Sequence, residues 1–211
     1  MQIYGIFFDL DGTLINTNEL IFQSFEYAFH TILNISISRE ILSHTFGKPL
    51  RQALVELNEE HAEALRVAFL DYSAKHQSEI TVFPEALETM QRLKISGIRT
   101  AIVTSKLCAS AKRDLDLFQL TPYFDVFVTP ENTARHKPNP EPALFAAQQL
   151  GLSPEHTLMV GDSVYDLQCG QAAGCQTAVV SYSLLPLQEL LTYRPTYVIN
   201  HLSDLLQIIK K

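Results

Sequence analysis

Two aspartates with one residue between them, Asp9 and Asp11, close the apolar run Ile3-Tyr4-Gly5-Ile6-Phe7-Phe8 and precede Gly12. Residues 3–8 are expected to form a buried strand that ends at the Asp11-Gly12 turn signal. If the backbone breaks after Asp9, both acids crowd the carboxyl edge of a sheet, where open α/β folds bind ligands. Two carboxylates there repel unless a cation or a substrate needs them, which marks a reaction centre. Three further polar clusters fall at comparable places. Thr104-Ser105 closes the run 100–103, Lys137-Pro138 follows Phe127-Val128-Thr129, and Gly161-Asp162-Ser163-Val164-Tyr165-Asp166 follows Leu158-Met159-Val160. Strand ends of a parallel sheet converge, so these side chains can meet. Carboxylates without a histidine or thiol partner form a hard oxygen site suited to Mg²⁺. A hydroxyl, backbone N–H groups and a lysine suit the oxygens of a transferring phosphoryl group. A carboxylate nucleophile would divide hydrolysis into two displacements, with a second acid protonating the leaving oxygen and then deprotonating water.

The elements that must position these groups follow from periodicity. Residues 17–33 carry apolar side chains near the 3.6-residue period, with Thr17 or Asn18 as N-cap, and helical pattern continues over 39–46, 51–57 and 59–76. From Thr81 onward, helices alternate with β-rich runs at 99–104, 124–128, 157–160, 177–180 and 197–199. That alternation predicts an α/β fold, a Rossmann-like parallel-sheet core with helices on both faces. Strand 3–8 has no early partner, so it pairs with the later strands, and the helices between are an insertion. The expected division is a core of residues 1–15 and 81–211 and an all-helical cap of 16–80 lying over the ligand crevice.

Composition restricts the partners. The 211 residues are 46% hydrophobic and 18% charged, with net charge −7, which suits a soluble globular protein and speaks against nucleic acid. An anionic substrate would need positive charge supplied locally, by a metal or a few placed lysines. The apolar N-terminal run stops too early for a signal peptide or membrane span. Cys108, Cys169 and Cys175 are odd in number and lack zinc-like spacing, as expected of thiols in a reducing cytoplasm. The expected state is a cytoplasmic monomer or weak homodimer.

Taken singly, each cluster has an ordinary explanation. Thr104 could cap a helix over 106–118, Lys137 could be a solvated loop residue, Asp162 a helix cap and Asp166 an exposed helix acid. That explanation would have to hold at four strand ends at once. Thr13 is expected to bond within the loop and order the two acids, and His136, beside Arg135, to lie on the surface.

Asp9-Leu10-Asp11-Gly12-Thr13, Thr104, Lys137 and Gly161-Asp162…Asp166 resemble, in order, the four motifs of the haloacid dehalogenase superfamily of phosphohydrolases. The insertion between the first two motifs resembles the helical-cap subclass. The resemblance implies that Asp9 is the nucleophile and Asp11 the general acid/base, with Thr104 and Lys137 holding phosphoryl oxygens. It further implies Mg²⁺ held by Asp162, the Asp9 side chain and the Asp11 carbonyl, with Asp166 in support behind them.

Substrate choice falls to the cap. Gly47-Lys48-Pro49-Leu50-Arg51 combines turn formers with two cations that could face a second anionic group on a small phosphate compound, alongside Ser105 of the second motif. Phosphoglycolate phosphatases carry a similar Gly-x-Pro-Leu loop. The stretch 14–21 and the tail from Arg194-Pro195-Thr196-Tyr197 resemble the Bacillus-type pyrophosphatases of this subclass. A β-phosphoglucomutase-like phosphotransferase shares all four motifs and stays open as an alternative. A dehalogenase would not need Asp11, Asp162 or Asp166, and a phosphonate-cleaving relative would use a cap lysine, for which Lys48 is a candidate. A phospho-aspartate switch protein would place its acceptor after an internal strand and lack the insertion.

Overall fold

The computed structural model describes residues 2–210. Strand β1 (Gly5–Phe8) is buried along its whole length. Ile6 and Phe8 enter one apolar layer with Met90, Leu93 and Leu115, while Phe7 enters a second with Ala143, Ala146 and Ala173. A strand covered on both faces has no reason to alternate with polar residues, which explains the unbroken apolar run.

The chain then forms β2 (Ile15–Asn16), α1 (Asn18–Leu33), α2 (Arg39–Ser43), α3 (Leu50–Leu57), α4 (Ala62–Lys75) and β3 (Thr81–Val82). Beyond these come α5 (Ala86–Ile95), β4 (Arg99–Val103), α6 (Cys108–Leu117), β5 (Val126–Val128) and α7 (Glu141–Leu150). The last elements are β6 (Thr157–Gly161), α8 (Val164–Ala173), β7 (Gln176–Val180), α9 (Leu187–Leu191), β8 (Tyr197–Ile199) and α10 (Leu205–Ile208). Six strands pair in parallel in the order β5-β4-β1-β6-β7-β8, the α/β sheet expected from the alternation. Strand order runs outward in opposite directions on either side of β1. The crevice beyond the carboxyl ends of β1 and β6 is therefore the switch point, where ligands of such sheets bind.

Several boundaries differ from the periodic reading. The helix expected over 39–46 stops at Ser43, because the Thr45 hydroxyl donates to the Leu42 carbonyl at 2.7 Å and Gly47 turns the chain at φ 87°. The last helix of the insertion starts at Ala62, not residue 59, and strand β5 starts at Val126, not residue 124. One pairing left no periodic trace. β2 and β3 form an antiparallel ribbon through Ile15↔Val82 and Asn16↔Thr81, and two residues per strand are too few to show alternation. Both ends of the insertion pass through this ribbon.

Helices α1–α4 pack around an apolar cluster of their own that includes Phe22, Phe25, Phe29, Leu54, Leu65 and Phe69. Phe25 meets Phe69 edge-on with ring centroids 4.8 Å apart, a favoured aromatic geometry. No helix among the described residues is long and apolar enough to cross a membrane. Phe29→Ala is expected to remove about 3–5 kcal/mol of packing from the helical cluster alone. Hydrogen exchange should then speed up in α1 and α4 while β1, β4 and β6 keep their protection. Uniform acceleration would show that helices and sheet unfold as one unit.

Candidate active site

Asp9 directly follows β1, and its backbone N–H donates to the Val160 carbonyl at 2.9 Å, extending the β1–β6 pairing by one residue. There the chain turns. The Leu10 carbonyl accepts the N–H groups of Thr13, Leu14 and Ile15, while the Leu10 and Leu14 side chains sink into the core. Gly12 adopts φ 77°, and a Cβ at this position would lie 2.2 Å from Asp162 Oδ2. Only glycine allows the loop to rest this closely on the acid that follows β6.

Lys137 Nζ lies in the interior, 2.8 Å from Asp9 Oδ1 and 2.6 Å from Asp166 Oδ1. Asp166 is fully buried, and its other oxygen accepts from the Ser163 hydroxyl at 2.6 Å and the Ser163 N–H at 3.1 Å. Ser163 and Asp166 make a capping box at the start of α8, so Ser163, not Asp162, caps that helix. Gly161 makes room for it, since a Cβ there would stand 2.2 Å from Asp166 Cγ. Asp9, Asp162 and Asp166 each offer a carboxylate oxygen within 4.8 Å of the others, and all three are buried. Burial, with Asp166 nearby, pushes the Asp9 carboxyl up to about 7 although Lys137 pulls it down. Burial and the same neighbouring acids push Asp162 well above the carboxylate range. Lys137 shows the opposite balance: burial disfavours its charge, but Asp166 and Asp9 more than offset that and raise its pKa. The second Asp9 oxygen and the Asp162 carboxylate accept no hydrogen bond among the described residues.

Asp11 stands apart from the carboxylate cluster. Its Oδ1 accepts from the Thr17 hydroxyl and from Lys106 Nζ, each at 2.7 Å. Thr17 occupies the N-cap position of α1, but its side chain accepts no capping N–H, and its hydroxyl donates to Asp11. The Thr13 hydroxyl, expected to order the loop, has no hydrogen-bond partner. Backbone bonds do that work, with Tyr182 donating to the Thr13 carbonyl at 2.9 Å. Thr104 is buried and its hydroxyl oxygen accepts the Lys106 N–H at 3.1 Å, so it does not cap α6, which starts at Cys108.

A cavity of about 720 Å³ opens between α1–α4 and the sheet edge, and Asp9, Asp11, Thr104 and Asp162 lie on its wall. Lys137 and Asp166 sit behind them and do not line it. Gly47, Lys48, Arg51 and Ser105 also reach the cavity. The Ser105 hydroxyl is spent on the Gly47 carbonyl at 2.6 Å, tying the α2–α3 loop to the β4 end. Lys48 pairs with Glu56 and lies over the Tyr165 ring, whereas Arg51 forms no ion pair among the described residues. His136 is not a surface residue as expected. It is half-buried, lines the cavity, and its Nδ1 lacks a partner.

Residues 6–180 match the family of haloacid dehalogenase-like hydrolases. The chain belongs to that family. Similar proteins include "Putative pyrophosphatase PpaX" of Caldanaerobacter subterraneus, 42% identical over 100% of this chain and 96% of its own length. Pyrophosphatase PpaX of Bacillus cereus is 39% identical over 99% of this chain and 97% of its own. Among solved structures, "a predicted phosphoglycolate phosphatase" from Haemophilus somnus superimposes with a TM-score of 0.87 at 25% identity, covering 99% of this chain and 98% of that one.

Two residues of this hydrolase's site escaped the motif reading, Lys106 and Asp114. Lys106 Nζ lies 2.5 Å from Asp114 on α6 as well as 2.7 Å from Asp11. The available signal was positional: Asp114 falls on the same face of α6 as the buried Ala111 and Leu115, where a charge is out of place. For the Ser163–Asp166 cap, Ser163→Ala should lower unfolding free energy by about 0.5–2 kcal/mol in chemical denaturation. No change would mean that the capping box contributes nothing to holding Asp166.

Proposed function

We propose that this hydrolase is a Mg²⁺-dependent phosphohydrolase that attacks phosphorus with Asp9, uses Asp11 as general acid/base, and favours pyrophosphate. One observation carries the reading: Asp9 meets the cavity with one oxygen pinned by Lys137 and the other unengaged, beside Asp162. The full-length likeness to proteins named pyrophosphatases supports the substrate.

Each residue then has a task. Lys137 fixes the Asp9 carboxylate and screens its charge as the phosphoryl group approaches. The unengaged Asp9 oxygen forms a bond to phosphorus as the bond from phosphorus to the leaving oxygen breaks, and Asp11 delivers a proton to that oxygen. In the second half, Asp11 takes a proton from water, whose oxygen displaces the Asp9 carboxylate and releases inorganic phosphate. Thr104, whose oxygen already accepts from Lys106, keeps its own O–H to donate to a phosphoryl oxygen. The donor set fits a hard divalent ion, with Asp162, Asp9 and the Asp11 carbonyl as holders and Asp166 kept busy by Lys137 and Ser163. When bound, Mg²⁺ would neutralise charge on the phosphoryl oxygens and on the crowded carboxylates.

Residues 16–80 act in this reading as a cap that closes over the core and excludes water. Among the described residues, Arg51 is the cavity-lining cation without an ion pair, and it would face a second anionic group. Phosphoglycolate is a second reading, favoured by the Gly47-Lys48-Pro49-Leu50 loop on the cavity wall. Release of free phosphate separates either from a phosphotransferase.

Phosphate release is to be measured from pyrophosphate, phosphoglycolate, sugar phosphates and nucleotides, with Mg²⁺ and with EDTA. Pyrophosphate should show the highest kcat/KM, and EDTA should abolish turnover. Activity that survives EDTA would remove the metal from the proposal, and faster turnover of phosphoglycolate would select the second reading. Asp9→Asn should lower kcat by more than roughly 10³-fold. Arg51→Ala should raise KM for pyrophosphate roughly tenfold and leave p-nitrophenyl phosphate within about twofold. Equal losses on both substrates would mean that Arg51 does not read the second anionic group.

A further inference from the structure

Asp114 is a fully buried carboxylate that does not line the cavity and belongs to none of the four motifs. Its partners explain its presence. One oxygen lies 2.5 Å from Lys106 Nζ, and the other accepts from Gln77 Nε2 at 2.8 Å, with Arg113 Nε at 3.6 Å. The same Lys106 Nζ donates to Asp11 Oδ1 at 2.7 Å. Gln77 lies in the 3₁₀ turn Gln77–Glu79 just before β3, and Thr17, the other donor to Asp11 Oδ1, follows β2. Both connections between the helical insertion and the sheet thus end on one oxygen of Asp11, one directly and one through Asp114 and Lys106.

We infer that Asp114 and Lys106 are positioning residues that hold Asp11 in its working orientation, and that Gln77 links this orientation to the placement of the cap. The inference rests on Asp11 being the general acid/base. Two donors on Oδ1 fix the carboxyl plane and leave Oδ2 to carry the proton. A lysine side chain is long and flexible, so Lys106 holds Asp11 steadily only if a second anion anchors it. Asp114 is that anchor: it is fully buried, so water does not compete for its carboxylate, while Lys106 itself reaches the cavity wall. A shift of the second cap connection would move Gln77, then Asp114 and Lys106, and Thr17 on the first connection would move with it.

The test compares an alkyl phosphate, phosphoglycolate, with p-nitrophenyl phosphate, whose leaving group needs little protonation. Asp114→Asn and Gln77→Ala alter residues outside the cavity, so neither removes a substrate contact. Asp114→Asn should lower kcat on phosphoglycolate about tenfold, hold p-nitrophenyl phosphate within about twofold, and leave both KM values unchanged. Gln77→Ala should act in the same direction, more weakly. The ratio of the two kcat values within one preparation does not depend on the folded fraction, and Gln77→Ala carries the test if Asp114→Asn fails to fold. In an Asp11→Asn background neither change should have a further effect on the ratio. Equal losses on both esters, raised KM with intact kcat, or additivity with Asp11→Asn would overturn the inference. If Asp11→Asn alone fails to discriminate between the esters, the acid/base reading itself falls. If it discriminates and the other variants do not, only the positioning role falls.

Discussion

The Lys137 ammonium lies 2.8 Å from Asp9 and 2.6 Å from Asp166, with almost no solvent access to any of the three groups. Two carboxylates and one ammonium leave the cluster one charge short of neutrality, and the neighbouring Asp162 adds another acid. In a low-dielectric interior that imbalance cannot be spread into water. Burial first, and this excess of acids second, raise the pKa of Asp9 and Asp162. The cluster also orders the surroundings. Gly161 must lack a side chain to admit Asp166, Ser163 must supply donors to its second oxygen, and β1 and β6 must be adjacent to bring the acids together.

Asp9 and Asp11 are close in sequence but differ in electrostatic setting. Asp9 looks toward acids, with one shared cation, whereas Asp11 looks toward Lys106 and a hydroxyl. Environments that diverge in this way let two chemically identical side chains take different parts in one reaction. The divergence arises because Leu10 buries between them and the loop folds back at Gly12, so each acid faces a different strand end: Asp9 faces the β6 side, and Asp11 the β4–α6 loop.

Much of this was legible in the sequence because it depends on local pattern. The apolar run before Asp9, the alternation after Thr81 and the polar residues at successive strand ends predict the sheet and the meeting of Asp9, Asp162, Lys137 and Asp166. What escaped depends on side-chain contacts that only the folded backbone brings about, whether the partners are near in sequence or far. The bond between the Thr17 hydroxyl and Asp11 looks like a helix cap in sequence, and Asp114 like an ordinary helix acid. Ser105 and Lys48 have types that suit a substrate site, yet tertiary partners, the Gly47 carbonyl and Glu56, take up their polar groups. The β2–β3 ribbon is shorter than the shortest pattern that periodicity can register.

That ribbon has a consequence for how such proteins diversify. Its antiparallel pairing sets Asn16 beside Thr81, so the chain leaves and rejoins the sheet at neighbouring points. Antiparallel partners lie only about 5 Å apart, a gap that a short turn can close. A segment grafted between these two positions, whatever its length or architecture, would leave the register of all six parallel strands untouched. The helical segment that walls the cavity can therefore be exchanged while the carboxylate–lysine cluster is kept whole.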